Sequence, residues 1–242
     1  MGASRFVVLL PPSEGKATGG DPHVPWRPES GVFAGALGAY RHDVAVALKR
    51  IKGGNEKMLG VKGVHLAHAT STNRSLVGSP TLPAWQRYTG VVWDHLDLGA
   101  VPSATRRGAL SRIFVPSGLA GLVRADDPLP DYRLKMGARL APFGTISSWW
   151  RDDLTDAFVD VVGSTLVVDL LPQEHRAAFD WLRLPSVVRV DLVSKKGGVV
   201  GGHNAKAAKG LLARHLLLGK TTSVTSLLES FSHHEYSAKA TQ

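Results

Sequence analysis

Ser117–Leu140 reads SGLAGLVRADDPLPDYRLKMGARL. A glycine-punctuated piece, Ser117-Gly118-Leu119-Ala120-Gly121-Leu122-Val123-Arg124, runs into the acidic proline turn Asp126-Asp127-Pro128-Leu129-Pro130. The residues after the turn alternate in character. Taken as a strand, they point Tyr132, Leu134 and Met136 one way and Asp131, Arg133 and Lys135 the other, because strand side chains repeat every two residues. The first face can pack on a core. The second sets a carboxylate, a guanidinium and an ammonium in a row. Two readings fit that row: a solvent-facing edge strand whose mixed charges suppress aggregation, or one wall of an anion-binding cleft.

Outward from this stretch, strands alternate with helices. Arg5–Leu10 reads as a short buried strand stopped by Pro11-Pro12, and a proline- and glycine-rich loop follows to about Ser30. Leu37, Val44, Ala47, Leu48 and Ile51 recur at helical spacing within Val32–Ile51. Asn55 caps a short helix to Leu59, and a second runs from Gly63 to Thr70. Ser103 is expected to cap a helix through Leu110 or Ser111. Further strands are expected at Arg112–Val115, Tyr132–Met136, Thr165–Leu170 and Val187–Val193, with helices at Ser147–Val162, Pro172–Trp181 and His203–Leu218. The polar residues after about Glu229 read as less ordered. The pattern predicts an α/β (mixed α+β) fold: one domain over 1–242 with a central mixed sheet, flanking helices and a small helical, hairpin-like subdomain within 31–80.

The composition narrows the chemistry. The 242 residues are 43% hydrophobic and carry 29 Lys and Arg against 20 Asp and Glu, a net charge of +9. That excess points to an anionic partner: nucleic acid, a nucleotide or other phosphorylated ligand, or an acidic surface. The chain has no cysteine, so thiol redox sensing and thiolate metal sites are excluded. The apolar run Phe6–Leu10 is too short for a membrane span, and the expected location is cytoplasmic. His65 with His68, and His233 with His234, lack further ligands at metal spacing, so neither a metal nor another cofactor is expected. The sequence carries no signal for oligomeric state.

Several motifs could carry function. Pro12-Ser13-Glu14-Gly15-Lys16 leaves a strand as a phosphate loop would, but a Walker-type loop needs glycine where Leu10 stands and a hydroxyl where Ala17 stands. Lys16 remains a candidate phosphate contact, beside the alternative of an ordinary loop lysine. Leu59-Gly60-Val61-Lys62-Gly63-Val64 lies between two short helical patterns and suits either a plain helical connector or a hairpin whose glycines let backbone amides approach a DNA phosphate. Lys206 and Lys209 share a helix face, with Arg214 further along. This is either a solvated basic face or a second phosphate contact.

These motifs, in this order, resemble the YaaA family of peroxide-stress proteins. The family shows Ser-Gly-Leu-x-Gly-x-x-Arg followed by Tyr-Arg-Leu-x-Met-Gly, matched at Ser117–Arg124 and Tyr132–Gly137. Leu9–Lys16 resembles its opening strand and loop, Tyr88-Thr89-Gly90 its Tyr-Thr-Gly, Trp150 with Asp152 its Trp-x-Asp, and Asn204–Arg214 its C-terminal lysine segment. The resemblance implies a DNA-binding protein with a helix-hairpin-helix element, at Gly60, Lys62 and Gly63 with Lys206 and Lys209, that limits iron-dependent oxidative damage. It also suggests an anion or nucleotide cleft built from Ser13, Lys16, Tyr88, Ser117, Arg124, Arg133, Lys135, Lys206 and Arg214. On the alternative reading as an enzyme acting on a nucleotide or nucleobase, Asp131, Asp169 and Glu174 are the candidates for proton transfer. The family's Asn-Leu-Ala-Ser-x-Glu-Tyr is here Asp169-Leu170-Leu171-Pro172-Gln173-Glu174-His175. Glu174 is kept while the family's Asn and Tyr are not. The basic residues of the cleft are expected to converge despite their separation in sequence.

Overall fold

The computed structural model describes residues 6–197 and 200–241, so Arg5, expected to open the first strand, lies outside the described residues. The first half of the chain forms β1 (Phe6–Leu9), β2 (Asp21–Pro25), α1 (Ala34–Arg50), α2 (Glu56–Leu59), α3 (Gly63–Arg74), β3 (Pro80–Pro83), α4 (Ala84–Arg87), α5 (Val91–Leu96) and α6 (Ser103–Leu110). The strands β4 (Ile113–Ser117), β5 (Gly121–Arg124), β6 (Pro128–Pro130), β7 (Arg139–Leu140) and β8 (Gly144–Thr145) follow. The chain then runs through α7 (Ile146–Val162), β9 (Leu166–Asp169), α8 (Gln173–Arg176), β10 (Val187–Ser194), α9 (Gly202–Leu218), α10 (Val224–Ser230) and β11 (Tyr236–Thr241).

The main sheet has the order β11-β10-β9-β1-β4-β5. Strands β10, β9, β1 and β4 are parallel, and antiparallel β11 and β5 close the two edges. Parallel strands are covered on both faces and read as continuous apolar runs. Val8, Leu9, Ile113, Val167 and Val168 accordingly have no exposed surface. Strand β1 lies between β4, reached early in the chain, and β9, reached late. Chain connections therefore leave β1 and its neighbours in diverging directions. Such a switch point opens a crevice at the carboxyl ends of the strands.

The alternating segment after Pro130 is extended, with Tyr132, Leu134 and Met136 buried and Asp131, Arg133 and Lys135 partly exposed. It does not form the expected strand. Its backbone is held by a side chain instead: fully buried Asn73 of α3 accepts from Arg133 N–H at 2.9 Å and donates to Arg133 C=O at 2.8 Å. The helix expected over Pro172–Trp181 ends at Arg176, because Asp180 caps a separate 3₁₀ turn through Leu182 N–H. Ser103 is the first residue of α6, with Pro102 at the cap position. The tail is ordered where loss of order was expected. Strand β11 pairs with β10 from Arg189 opposite Thr241 to Ser194 opposite Tyr236, and Tyr236 packs on Ala205 and Ala208 of α9.

Arg41 of α1 is buried, and its guanidinium donates to the carbonyls of Pro28, Ser30, Ala120 and Leu122. It thereby ties the loop before α1 to the β4–β5 turn. Replacing it strands several buried acceptors, each with its own desolvation cost. Arg41→Met is expected to lower unfolding free energy by about 3 kcal/mol in urea titration, a size typical of a broken buried network. A change within experimental error would show that the carbonyls find other donors.

Candidate functional site

The site begins where the chain leaves the middle of the sheet. Pro11 and Pro12 cannot donate to a ladder, so β1 ends there. Trp93 of α5 donates its indole N–H to Pro11 C=O at 3.1 Å. The loop beyond is then pinned by the Tyr88-Thr89-Gly90 motif. Lys16 and Tyr88 form an isolated antiparallel bridge, Ala17 N–H donates to Arg87 C=O at 2.9 Å, and Thr89 N–H to Gly15 C=O at 3.1 Å. Gly90 has φ of 121°, and a Cβ there would meet Ser13 Oγ at 2.7 Å, so both conformation and space call for glycine. Buried Arg87 secures the far end of the loop by donating to the carbonyls of Ala17, Gly19 and Leu129.

This loop forms one wall of a cavity of about 760 Å³ at the carboxyl ends of β1 and β9. The other walls come from the start of α5, the Leu171–His175 segment, β10 and the first turns of α9 with Lys206 and Lys209. A recess of about 50 Å³ shares Pro12, Ser13, Glu14, Glu174 and His175 with it and adds Lys16, Arg133 and Lys135. Glu14 organises the recess. It binds Arg133 Nη2 at 2.8 Å and Lys135 Nζ at 2.7 Å. Burial works to raise the Glu14 pKa, but Lys135 and Arg133 outweigh it and hold the carboxyl below its ordinary value.

The Lys16 ammonium donates to Ser13 C=O at 3.1 Å and lies 4.3 Å from the Tyr132 ring centroid. Burial brings its pKa down to about 7, with Arg133 and Arg87 adding to the effect and Asp131 and Glu14 opposing it. Beneath it, Tyr132 hydroxyl bonds Ser117 Oγ at 2.8 Å and Tyr88 hydroxyl at 3.1 Å, and burial pushes both phenols up. Burial also lowers Lys209 to about 8; its ammonium donates to Leu170 C=O at 2.6 Å. His175 is pushed down by burial, so it is neutral at physiological pH, and its Nδ1 has no partner among the described residues.

Of the residues singled out from sequence, Ser13, Lys16, Arg133, Lys135, Lys206, Lys209 and Glu174 line this connected space. Tyr88 and Ser117 lie beneath it, buried, each with its hydroxyl bonded to that of Tyr132. Two expected cleft residues do not converge there. Arg214 caps α5 instead, donating to the carbonyls of Leu96 and Asp97, where a cation complements the helix dipole. Arg124 is held by Asp126 at 2.5 Å beside the β5–β6 turn. Two proton-transfer candidates have structural partners: Asp131 pairs with His68 at 2.7 Å, and buried Asp169 pairs with Arg176 and accepts from Leu171 N–H at 2.8 Å. Glu174 accepts from Gly137 N–H at 3.2 Å at the cavity edge. Sequence reasoning missed Asn73 and Arg87, and it named His175 only as a departure from the family pattern. Arg87 was the findable one, standing directly before Tyr88-Thr89-Gly90.

The hairpin borders the cleft. Asn55 caps α2 through Met58 N–H at 3.0 Å, and Gly60 ends it in the left-handed region with φ of 63°. Arg133 Nε donates to Leu59 C=O at 2.9 Å, and a Cβ at Gly60 would lie 3.4 Å from Lys135 Nζ. Lys62 is exposed and paired with Glu56 at 2.9 Å. A Cβ at Gly63, the first residue of α3, would meet nothing within 4 Å.

Fold and cleft define an α/β protein with a basic crevice at a sheet switch point, flanked by the helices α2 and α3. The chain belongs to the family described as "Peroxide stress protein YaaA", whose model matches residues 7–242. It is 34% identical over 218 residues to the UPF0246 protein SCO2297 of Streptomyces coelicolor, covering 88% of this chain and 83% of that one. It is 32% identical over 227 residues to the UPF0246 protein Cgl1995/cg2186 of Corynebacterium glutamicum, covering 89% and 86% respectively. No helix among the described residues is long and apolar enough to cross a membrane.

The partnering of Asp169 makes it an anchor for the Leu170–Arg176 segment. Asp169→Ala is expected to cost about 3 kcal/mol of stability, because it strands the Arg176 guanidinium. Urea titration checks this; unchanged stability would return Asp169 to the list of proton-transfer candidates.

Proposed function

We propose that this protein binds duplex DNA in a cytoplasmic response to peroxide, with the α2–α3 hairpin holding the phosphate backbone and the cleft receiving one nucleotide-sized anionic unit. The observation that carries this reading is the continuity of the two features. Arg133 and Lys135 reach Leu59 and Gly60 of the hairpin on one side and Glu14 of the recess on the other. The start of α3 is suited to an anion. The first-turn amides of a helix have no intrahelical acceptors, and Lys62 at the cap position supplies no side-chain acceptor. Gly63 leaves them open to close approach. Family membership supports the peroxide-stress setting. Coverage of DNA would limit iron-dependent damage to it without thiol chemistry, in keeping with a chain that has no cysteine.

The concentration of cations in a concave cavity favours a second reading, an enzyme on a free nucleotide. The two separate by salt and competition. Release of counterions from about four phosphates gives a slope of about −4 in log affinity against log salt. Fluorescence anisotropy with a labelled duplex is expected to show that slope. Lys62→Glu is expected to weaken duplex binding by roughly tenfold, as loss of a close charge pair does, without changing the melting temperature. Absence of duplex binding at about 50 mM salt, with nucleotide binding retained, would favour the enzyme.

A further inference from the structure

We infer that Lys16 is an imine-forming amine that reacts with a phosphorylated aldehyde or ketone delivered into the cleft. This rests on the reading of the cleft as a phosphate-receiving site and adds to it a covalent chemistry.

The placement of Lys16 differs from that of the other cleft cations. Arg133 and Lys135 are held by Glu14, while Lys16 forms no ion pair among the described residues, and its hydrogen bond goes to the neutral carbonyl of Ser13. Its ammonium lies over the Tyr132 ring and near that of Tyr88, 5.6 Å from the latter's centroid. Both phenols are engaged with each other or with Ser117, so neither competes for the Lys16 lone pair. The groups facing it are Glu14 on its own loop, Arg87 at the end of α4, and Asp131 and Arg133 on the extended segment. With its pKa near 7, Lys16 holds a substantial share of free amine at neutral pH. An unperturbed lysine would offer less than about 0.1%.

The shape of the space selects the partner. The recess of about 50 Å³ admits a carbonyl group but not a sugar ring. The adjoining cavity of about 760 Å³ has room for the rest of the molecule, and Lys206 and Lys209 stand there to receive its phosphate. The step balances without a further reagent. The Lys16 lone pair attacks the carbonyl carbon and a C–N bond forms. The two amine hydrogens then leave with the carbonyl oxygen as water. His175 is neutral and lines both recess and cavity, and we assign it the relay of those protons.

One phosphorylated carbonyl source is the ring-opened sugar of an abasic site in DNA; another is a free sugar phosphate. The full chain is incubated at pH 7 with cyanoborohydride and one of two probes, a duplex carrying a single abasic site or glyceraldehyde 3-phosphate. Adducts are mapped by peptide mass spectrometry, and binding of the intact duplex is measured alongside. The expected adduct is on Lys16, rising in yield as pH passes through about 7 and suppressed by inorganic phosphate. Lys206→Met should weaken the probe's apparent affinity and leave the adduct on Lys16. Because the mapping is done on the unaltered chain, it does not depend on whether Lys16→Met folds. Adducts scattered over exposed lysines, with Lys16 unmodified by both probes, would overturn the inference. If the intact duplex still binds in that case, the DNA reading stands without it. If the duplex does not bind but glyceraldehyde 3-phosphate labels Lys16, the DNA reading falls and the amine chemistry stands, with a free sugar phosphate as its source.

Discussion

After Leu10 the chain must leave the middle of a parallel sheet, and the way its next residues are tied down decides where every cleft side chain stands. Two prolines end the strand, and the loop Ser13–Ala17 has no strand neighbour of its own. It borrows one from Tyr88 and Thr89, through the Lys16–Tyr88 bridge and the flanking hydrogen bonds to Arg87 and Gly15. Arg87 commits a whole buried guanidinium to the same loop. A buried arginine is tolerated only when its donors are satisfied, and here the acceptors are backbone carbonyls whose positions it fixes in return. Ser13, Glu14 and Lys16 are thereby presented on a rigid loop at the sheet's switch point.

The electrostatics of the cleft follow from this placement. Glu14 sits between Arg133 and Lys135 and balances their charge across the recess. Lys16 shows which effect wins where burial and carboxylates act together: desolvation outweighs the attraction of Asp131 and Glu14 and leaves the amine near neutrality. Lys209 follows the same rule more weakly, with Asp191 as its opposing carboxylate. Both shifts are lowered pKa values of bases, so the charged form weakens the folded state. The two lysines therefore make their full contribution to stability only above their unfolded values, and that contribution declines as pH falls toward about 8 and about 7.

Most of the sheet was legible from sequence, since buried parallel strands such as β1 and β9 are built on the apolar runs Phe6–Leu9 and Leu166–Val168. The long helices were legible from their spacing, and the α2–α3 pair from Asn55 and the glycines. What escaped has physical reasons. Strand β11 carries small and polar residues on an edge, so no apolar run marks it. The Tyr132–Met136 alternation was read correctly as to which side chains are buried. Its backbone partner, however, is the single side chain Asn73, a contact across 60 residues that no local pattern encodes. Around the cleft, basic residue type did not distinguish a phosphate contact from a helix cap, and Arg214 proved to be the latter. Asp169 was visible as a carboxylate at a strand end, but its partner Arg176 became evident only once α8 was seen to end early.

On the proposed reading, hairpin and cleft form one nucleic-acid surface joined through Arg133 and Lys135. Hydrogen–deuterium exchange with and without a short duplex tests it most directly, because it reads both features in one experiment without altering the chain. Slowed exchange is expected together in the hairpin and first turn of α3, in the Ser13–Ala17 loop and in the Arg133–Lys135 segment. Protection confined to a distant basic element such as α6, with the hairpin and the loop unchanged, would contradict the account.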